Sequence, residues 1–150
     1  MKHRYAAVFA LFAFAAVAAA ADNPPCKSNF KQEGGFMGGR SFTTWDVVPV
    51  APSLAFKRIY AEGTKSGLQV ASSDKDMGSI SFEQRNAGVV ANGAQVTLPW
   101  NVSIEAEGKG SRITVTKTTP GGYSTSKDFQ ITSMCAVIDA ARDPAKPAKK

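Results

Sequence analysis

The sequence predicts an α+β protein with two helices packed on one face of a mostly antiparallel sheet of four to five strands. Apolar and polar residues alternate strictly from 95 to 107, and this period of two is typical of a sheet with one buried and one solvated face. The segments 52–67 and 124–142 place apolar residues at i, i+3, i+4 and i+7, as one face of a helix does. The predicted order of elements is β-α-β-β-β-β-α.

The first 21 residues have the composition of a secretory signal peptide. Lys2 and Arg4 precede an apolar run that ends in small residues, which is the usual layout of a cleavable signal. The run from Ala6 to Ala21 is shorter than the roughly 20 residues that a membrane-spanning helix needs. We therefore expect a soluble mature chain without a membrane span, located in the periplasm or secreted.

The excess of positive charge lies at the two ends of the chain. The net charge is +6, but two cations lie in the predicted signal peptide, and the tail 142–150, RDPAKPAKK, carries four cations against one aspartate. The part between them is nearly neutral and gives no sign of a nucleic-acid-binding face. The tail is predicted to be disordered, since it cannot bury apolar surface. Its only expected contact is a weak, salt-screened one with anionic envelope polymers.

Cys26 and Cys135 are the two cysteines of the chain. In an oxidising compartment, an even pair is typically a disulfide, and a CxxC redox motif is absent. We predict a structural bridge, with two free thiols as the alternative. The bridge would tie a polar, glycine-rich and flexible lead, residues 22–40, to the closing helix.

The first predicted strand and helix follow one another directly. Residues 41–48, SFTTWDVV, have the β-branched and aromatic content of a strand. Pro52 suits the first turn of a helix, where its missing N–H costs nothing, and Gly67 suits its end. The buried stripe of this helix is predicted to consist of Phe56, Ile59, Tyr60 and Gly63.

Two short strands, 68–72 and 79–84, are predicted on either side of a turn that contains Asp74, Asp76 and Gly78. The two carboxylates also suggest the start of a calcium-binding loop. An EF-hand would need an oxygen ligand, a glycine and a glutamate at its fifth, sixth and twelfth positions, where this chain has Gly78, Ser79 and Arg85. The turn is the better interpretation, because Asp and Gly both tolerate the bend.

The alternating segment predicts a long strand, followed by a glycine turn at 108–110 and a second strand, SRITVTKT (111–118). Pro99 belongs to the outward set and cannot donate to a ladder, so the first of these strands should lie at an edge or be bulged there. Its inward set is predicted to be Val96, Leu98, Trp100, Val102, Ile104 and Ala106, and Ile113 and Val115 continue the alternation.

The last element is predicted to be a helix that Ser126 caps. Asp128 lies in its first turn, where a negative charge is favourable. Its buried stripe is predicted to consist of Ile131, Met134, Cys135 and Ile138.

The succession of a strand, the helix PSLAFKRIYAEG, the strand GLQVASSD, a turn, MGSISFEQ, two long strands and a closing helix resembles BamC-like helix-grip domains of small bacterial envelope proteins. The resemblance covers residues 41–141 as a single domain, and its best marker runs from Asp74 through Gly78 to Ile80. It implies a helix-grip-like fold and an envelope location, and it supplies no catalytic residues. The chain departs from the lipoproteins of that group because the residues before Cys26 do not form a lipid-attachment signal.

The mature chain has few residues of the types that act in catalysis or metal binding. The single histidine, His3, lies in the predicted signal peptide, so the mature chain has no imidazole for a Ser-His-Asp device or a typical zinc site. Glu105 and Glu107 share a strand face and are interpreted as surface charges, and a hydrolase that uses this carboxylate pair is the third-ranked hypothesis. We predict no catalytic residue, no metal site and no cofactor.

The leading hypothesis is an exported, non-enzymatic binding or scaffold module of the bacterial cell envelope, with an envelope protein as partner. The alternative is an exported inhibitor or ligand-binding protein that acts through loops or a sheet edge, since an open edge accepts a peptide strand. A plain solvated sheet face is also consistent with the pattern. The candidate binding face is the outer sheet face, which comprises Ser79, Ser81, Thr97, Asn101, Ser103, Arg112, Thr114 and Thr116.

Overall fold

The computed structural model describes residues 24–142. The predicted signal peptide, and the predicted tail beyond residue 142, lie outside the described residues. Within that range the chain forms three helices and six strands: α1 (Pro25–Ser28), β1 (Lys31–Gly35), β2 (Gly39–Val48), α2 (Pro52–Lys65), β3 (Gln69–Asp74), β4 (Ser79–Gln84), β5 (Leu98–Glu107), β6 (Gly110–Thr119) and α3 (Lys127–Asp139).

The six strands form one sheet in the order β1-β2-β6-β5-β4-β3, and every neighbouring pair is antiparallel. Both long helices lie on one face, where α2 contacts β5 and α3 contacts β2 and β6. The core lies between these layers and includes Ile59, Phe82, Val102, Met134 and Ile138, each at most 2% exposed. The α+β class and the antiparallel sheet are confirmed, but the structure has one helix and at least one strand more than predicted.

The additional elements occupy the segment that was predicted to be a flexible lead, residues 22–40. Pro25 begins the one-turn helix α1, and β1 pairs with β2 from Lys31 opposite Thr43 to Gly35 opposite Gly39. All five residues of β1 are exposed, and the strand lies at an edge of the sheet. Its sequence therefore lacks the apolar alternation by which a strand is recognised.

The position of β5 corrects a second prediction. The strand lies inside the sheet, between β6 and β4, and Pro99 pairs with Glu83 without a shift in register. The ladder with β6 begins only at Trp100 opposite Lys117. Pro99 therefore precedes Trp100, the first β5 residue that pairs with both β4 and β6. Its missing N–H is tolerated there without a bulge. The irregularity in this sheet lies in β3 instead, between Val70 and Ser72.

The turn between β3 and β4 is confirmed. The Asp74 side chain accepts hydrogen bonds from the backbone N–H groups of Asp76 (3.0 Å) and Met77 (2.9 Å), as an Asx turn does. Gly78 has φ +65°, and a Cβ there would lie 2.1 Å from the Ile104 carbonyl oxygen. Across residues 24–142, no three His, Cys, Asp or Glu side chains are grouped to hold a metal ion.

The predicted disulfide between Cys26 and Cys135 is confirmed. It joins α1 to α3 with a Cα–Cα distance of 5.7 Å and closes a loop of 109 positions. The predicted cap of α3 is also present, since Ser126 Oγ accepts a hydrogen bond of 3.2 Å from the Phe129 N–H. None of the helices in the described part is long and apolar enough to cross a bilayer.

Candidate functional site

A cavity of about 440 Å³ opens between α2, α3 and the sheet, at the end where β5 begins. Its apolar wall is formed by Ile59 of α2, Leu68 between α2 and β3, and Val137 of α3. Small side chains such as Ser133 and Ala140 line the same space. Side chains of this size occupy little of the space between the two helices.

The polar wall of the cavity is built around the side-chain amide of Gln84, the last residue of β4. Its Oε1 accepts hydrogen bonds from Trp100 Nε1 (3.2 Å) and from Lys117 Nζ (3.2 Å). Gln84 and Trp100 line the cavity, and Lys117 lies directly behind them on the inner face of β6. The cavity is therefore amphipathic, with an amide and an indole at one end and, behind them, a buried cation that donates to that amide.

Lys117 is only 1% exposed, which is unusual for a lysine because this residue type is rarely fully buried. Its Nζ lies 4.1 Å from the centre of the Trp100 ring and 5.9 Å from that of Phe129. Among residues 24–142 it forms no ion pair. Burial lowers the pKa of Lys117 from 10.5 to about 8, since the protonated form loses its hydration.

The two charged residues at the cavity wall have partners of their own. Glu62 lies 3.8 Å from Lys65 on the exposed side of α2, and Arg85 lies 3.4 Å from Glu83. Phe129 is 55% exposed and lines the cavity from the first turns of α3. The wall thus combines two solvated ion pairs with an exposed aromatic side chain.

Two further polar side chains are buried beneath α3. Gln130 Nε2 donates to Thr125 Oγ1 at 2.7 Å. Its Oε1, and the hydroxyl of Thr119 on β6, have no hydrogen-bond partner within the described part of the chain. Inward-facing positions are therefore polar where β6 ends, at Lys117 and Thr119, although they are apolar at Ile113 and Val115.

The candidate binding face predicted from sequence lies on the opposite side of the sheet from the cavity. In register across the strands, Ser81 stands opposite Asn101, which stands opposite Thr116. Ser103 likewise stands between Ser79 and Thr114. Thr97 does not belong to this face by pairing, because it precedes β5 and is exposed in the connection.

Several residues of this outer face already bond to one another. Ser81 Oγ donates to Asn101 Oδ1 at 2.9 Å. The guanidinium of Arg112 lies 4.0 Å from the Trp45 ring centre and donates two hydrogen bonds to Glu107. The pKa of Glu107 is lowered and that of Arg112 is raised, chiefly by this hydrogen bonding. The proposed hydrolytic pair is thus divided, since Glu107 is engaged by Arg112 while Glu105 accepts from Ser103 at 3.1 Å.

Lys117 and Gln84 were not predicted as site residues. The signal for Lys117 was present in SRITVTKT, because the alternation that buries Ile113 and Val115 places residue 117 on the same inner face. Gln84 offered no comparable signal. Its role depends on the end of β4 lying beside Trp100 and Lys117, which only the strand order reveals.

No protein-family model matches the chain, and no curated protein matches it. A solved structure of a conserved protein of unknown function from Enterococcus faecalis, EF2215, is similar with a TM-score of 0.51 and 8% identity, over 83% of this chain and 84% of that chain. The crystal structure of Ara h 8.0201 gives a TM-score of 0.49 and 12% identity, over 69% and 95% of the two chains. The crystal structure of TTHA0849 from Thermus thermophilus gives 0.39 and 12%, over 67% and 86%.

At these identities the likeness to EF2215 bears on the fold alone. Together with the sheet and helix arrangement, it shows a helix-grip-like α+β fold. The matches do not bear on the BamC-like group, so that part of the sequence resemblance stays a prediction.

Proposed function

We propose that the chain is an exported, non-enzymatic binding module of the bacterial cell envelope, and that its cavity holds a small amphipathic ligand. The observation that carries this proposal is the cavity of about 440 Å³ with apolar walls and one polar end. Sites for small molecules are typically concave, largely apolar spaces of about 300–1,000 Å³ with a few placed polar groups. We thus assign ligand binding to the space between helices and sheet, whereas the sequence-based hypothesis assigned it to loops or a sheet edge.

The disulfide supports the proposed periplasmic or secreted location, because such bridges persist in oxidising compartments. Fractionation of the native host tests it directly. We expect the oxidised protein in the periplasmic or culture fraction, with both cysteines resistant to alkylation. Recovery of a reduced chain from the cytoplasm would contradict the proposal.

Ligand binding is tested with the neutral fluorophore N-phenyl-1-naphthylamine, whose emission rises in apolar surroundings. The wild type should show saturable enhancement. Ser133→Trp, which places a large side chain in the cavity, should remove the enhancement, and Thr132→Trp, one position along α3 and outside this cavity, should retain it. Absence of saturable binding to the wild type, or equal binding by Ser133→Trp, contradicts the proposal.

A second candidate is a protein partner on the outer sheet face, favoured by the in-register polar rows through Asn101 and Ser103. The edge strands offer a further route, because β1 is exposed along its length and an open edge accepts a peptide strand. A photocrosslinking amino acid at Asn101 should capture an envelope protein. The same group at Lys57, on the exposed side of α2, should not, and identical capture from both positions would refute a specific outer-face partner.

A further inference from the structure

One charge behind the cavity wall lacks a counterion among the described residues. Lys117 is buried and has no ion pair within residues 24–142, although Glu62 and Arg85 at the cavity wall are paired with Lys65 and Glu83. A buried cation without an opposite charge is unfavourable, because one amide hydrogen bond and two ring contacts replace only part of its lost hydration. An apolar side chain at this position would continue the pattern of Ile113 and Val115 without that penalty.

Lys117 and Trp100 donate hydrogen bonds to the same oxygen atom. Trp100 Nε1–H and Lys117 Nζ–H both reach Gln84 Oε1 at 3.2 Å. The point where they meet is therefore a position for an oxygen atom, and in the free protein a neutral amide fills it. A carboxylate oxygen at the same position would bond more strongly to both donors, since a hydrogen bond to an ionised acceptor is shorter and stronger than one to a neutral amide.

Gln84 is placed so that this exchange is sterically reasonable. It is the last residue of β4, and its half-buried side chain lines the cavity. The chain turns away immediately after it, at Arg85 and Asn86, and Asn86 has φ +53°. Rotation of the Gln84 side chain alone would move the amide oxygen while keeping the backbone pair with Leu98, and would free the donors of Trp100 and Lys117 that now bond to it.

We propose that the ligand of this cavity is a monocarboxylate with an apolar tail, and that Lys117 Nζ and Trp100 Nε1 bind its carboxylate at the position that the Gln84 amide oxygen occupies in the free protein. This inference rests on the proposed ligand-binding function and adds the chemical class of the ligand. The tail would lie against Ile59, Leu68 and Val137, which form the apolar wall. Lys117 acts by direct contact with the ligand, and Gln84 acts as the acceptor that the ligand replaces.

The test compares laurate with 1-dodecanol, which has the same tail without the charge, as competitors of N-phenyl-1-naphthylamine at pH 7 and submicellar concentrations. Wild-type protein should bind laurate at least tenfold more tightly than dodecanol. Lys117→Met should lose the preference for laurate over dodecanol, with the affinity of each variant for the fluorophore measured first so that competition is converted into affinities. Lys57→Met, which removes one exposed lysine from α2, should keep the preference, and Gln84→Ala should keep or strengthen it.

The outcomes separate this inference from the function on which it rests. If the fluorophore and dodecanol bind but the wild type does not prefer laurate, the anionic ligand class is wrong and the binding function stands. If neither fluorophore nor dodecanol binds, the binding function itself fails. If Lys117→Met keeps the tenfold preference, the assignment to Lys117 is overturned, and circular dichroism of each variant confirms that the comparison is between folded proteins.

Discussion

Replacing Lys117 by methionine should stabilise the free protein at neutral pH, and the gain should shrink as the pH rises. The pKa of this lysine falls from 10.5 to about 8 on burial. The folded chain therefore releases the proton at lower pH than the unfolded chain. Between about pH 8 and pH 10.5 the unfolded state binds one more proton than the folded state, so the stability of the wild type rises with pH. Below about pH 8 both states are protonated, and the stability of the wild type stays at its lower, constant value.

The magnitude follows from the same shift. One pKa unit corresponds to about 1.4 kcal/mol, so the stability difference between the variant and the wild type should change by about 3 kcal/mol across the window. The neutral amine still donates to Gln84 Oε1, from 3.2 Å away, and this bond is worth about 1 kcal/mol. Lys117→Met should thus unfold with a free energy about 2 kcal/mol higher than the wild type at pH 7, and should lose that advantage by pH 10.5.

Urea unfolding followed by circular dichroism between pH 7 and pH 10.5 measures the stability difference between Lys117→Met and the wild type at pH 7 and its change with pH. Equal m-values would show that the unfolded states are comparable. Lys57→Met removes the same charge from an exposed position and should leave the difference near zero at every pH. A difference for Lys117→Met that stays flat from pH 7 to 10.5, or a wild type that is the more stable protein at pH 7, would refute the reasoning, because it would mean that the buried cation is compensated in the free protein.

Three other predictions concern the scaffold, and each is measured by urea unfolding at pH 7. Replacing both disulfide cysteines by serine should cost at most about 4–5 kcal/mol, as expected for a bridge that closes 109 positions; an unchanged midpoint would show that the bridge adds nothing. Gly63→Ala places a Cβ 2.6 Å from the buried ring of Phe82 and should cost about 1–2 kcal/mol even after the gain in helix propensity. Gly38→Ala, which meets nothing within 4 Å, is its control, and equal effects of the two would contradict the packing argument. Ser126→Ala should cost about 1 kcal/mol through loss of the α3 cap, whereas Ser126→Asp should restore most of it; equal loss in both would argue against capping.

The elements that the sequence predicted well are those with a buried face. The strict alternation through Trp100 and Val102 reported an inner and an outer face directly, and the apolar stripe through Met134 and Ile138 did the same for α3. The cap at Ser126 was predictable because its geometry is local. Each of these signals depends on residues close together in the chain, and burial on one side makes them periodic.

The elements that escaped prediction depend on contacts distant in sequence. β1 is exposed along its length, so nothing in its composition separates it from a flexible lead; the strand exists because it pairs with β2. Pro99 was assigned to an edge or a bulge because the sequence does not reveal that the β6 ladder begins one residue later. The cavity escaped for the same reason, since the small side chains on α3 and the amide of Gln84 become a site only when the sheet brings them together.

The opposed effects expected for Lys117 also bear on why it is there. The same substitution should strengthen folding and weaken binding of a carboxylate, which is the behaviour of a group retained for function at a cost in stability. A lysine kept for packing alone would show the first effect without the second. Urea unfolding and the competition assay therefore both test whether Lys117 is retained for ligand binding.

The disulfide has a consequence for the order of events during biosynthesis. Cys26 emerges at the start of the described fold and must wait for 109 further positions before its partner exists. The chain has no third cysteine, so no incorrect intramolecular bridge competes during that interval. All six strands lie between the two thiols in the chain, and oxidation comes after the whole sheet has been synthesised. The bridge can therefore form only after all six strands have been synthesised, and the fraction of oxidised chain reports how much of the protein has passed that point.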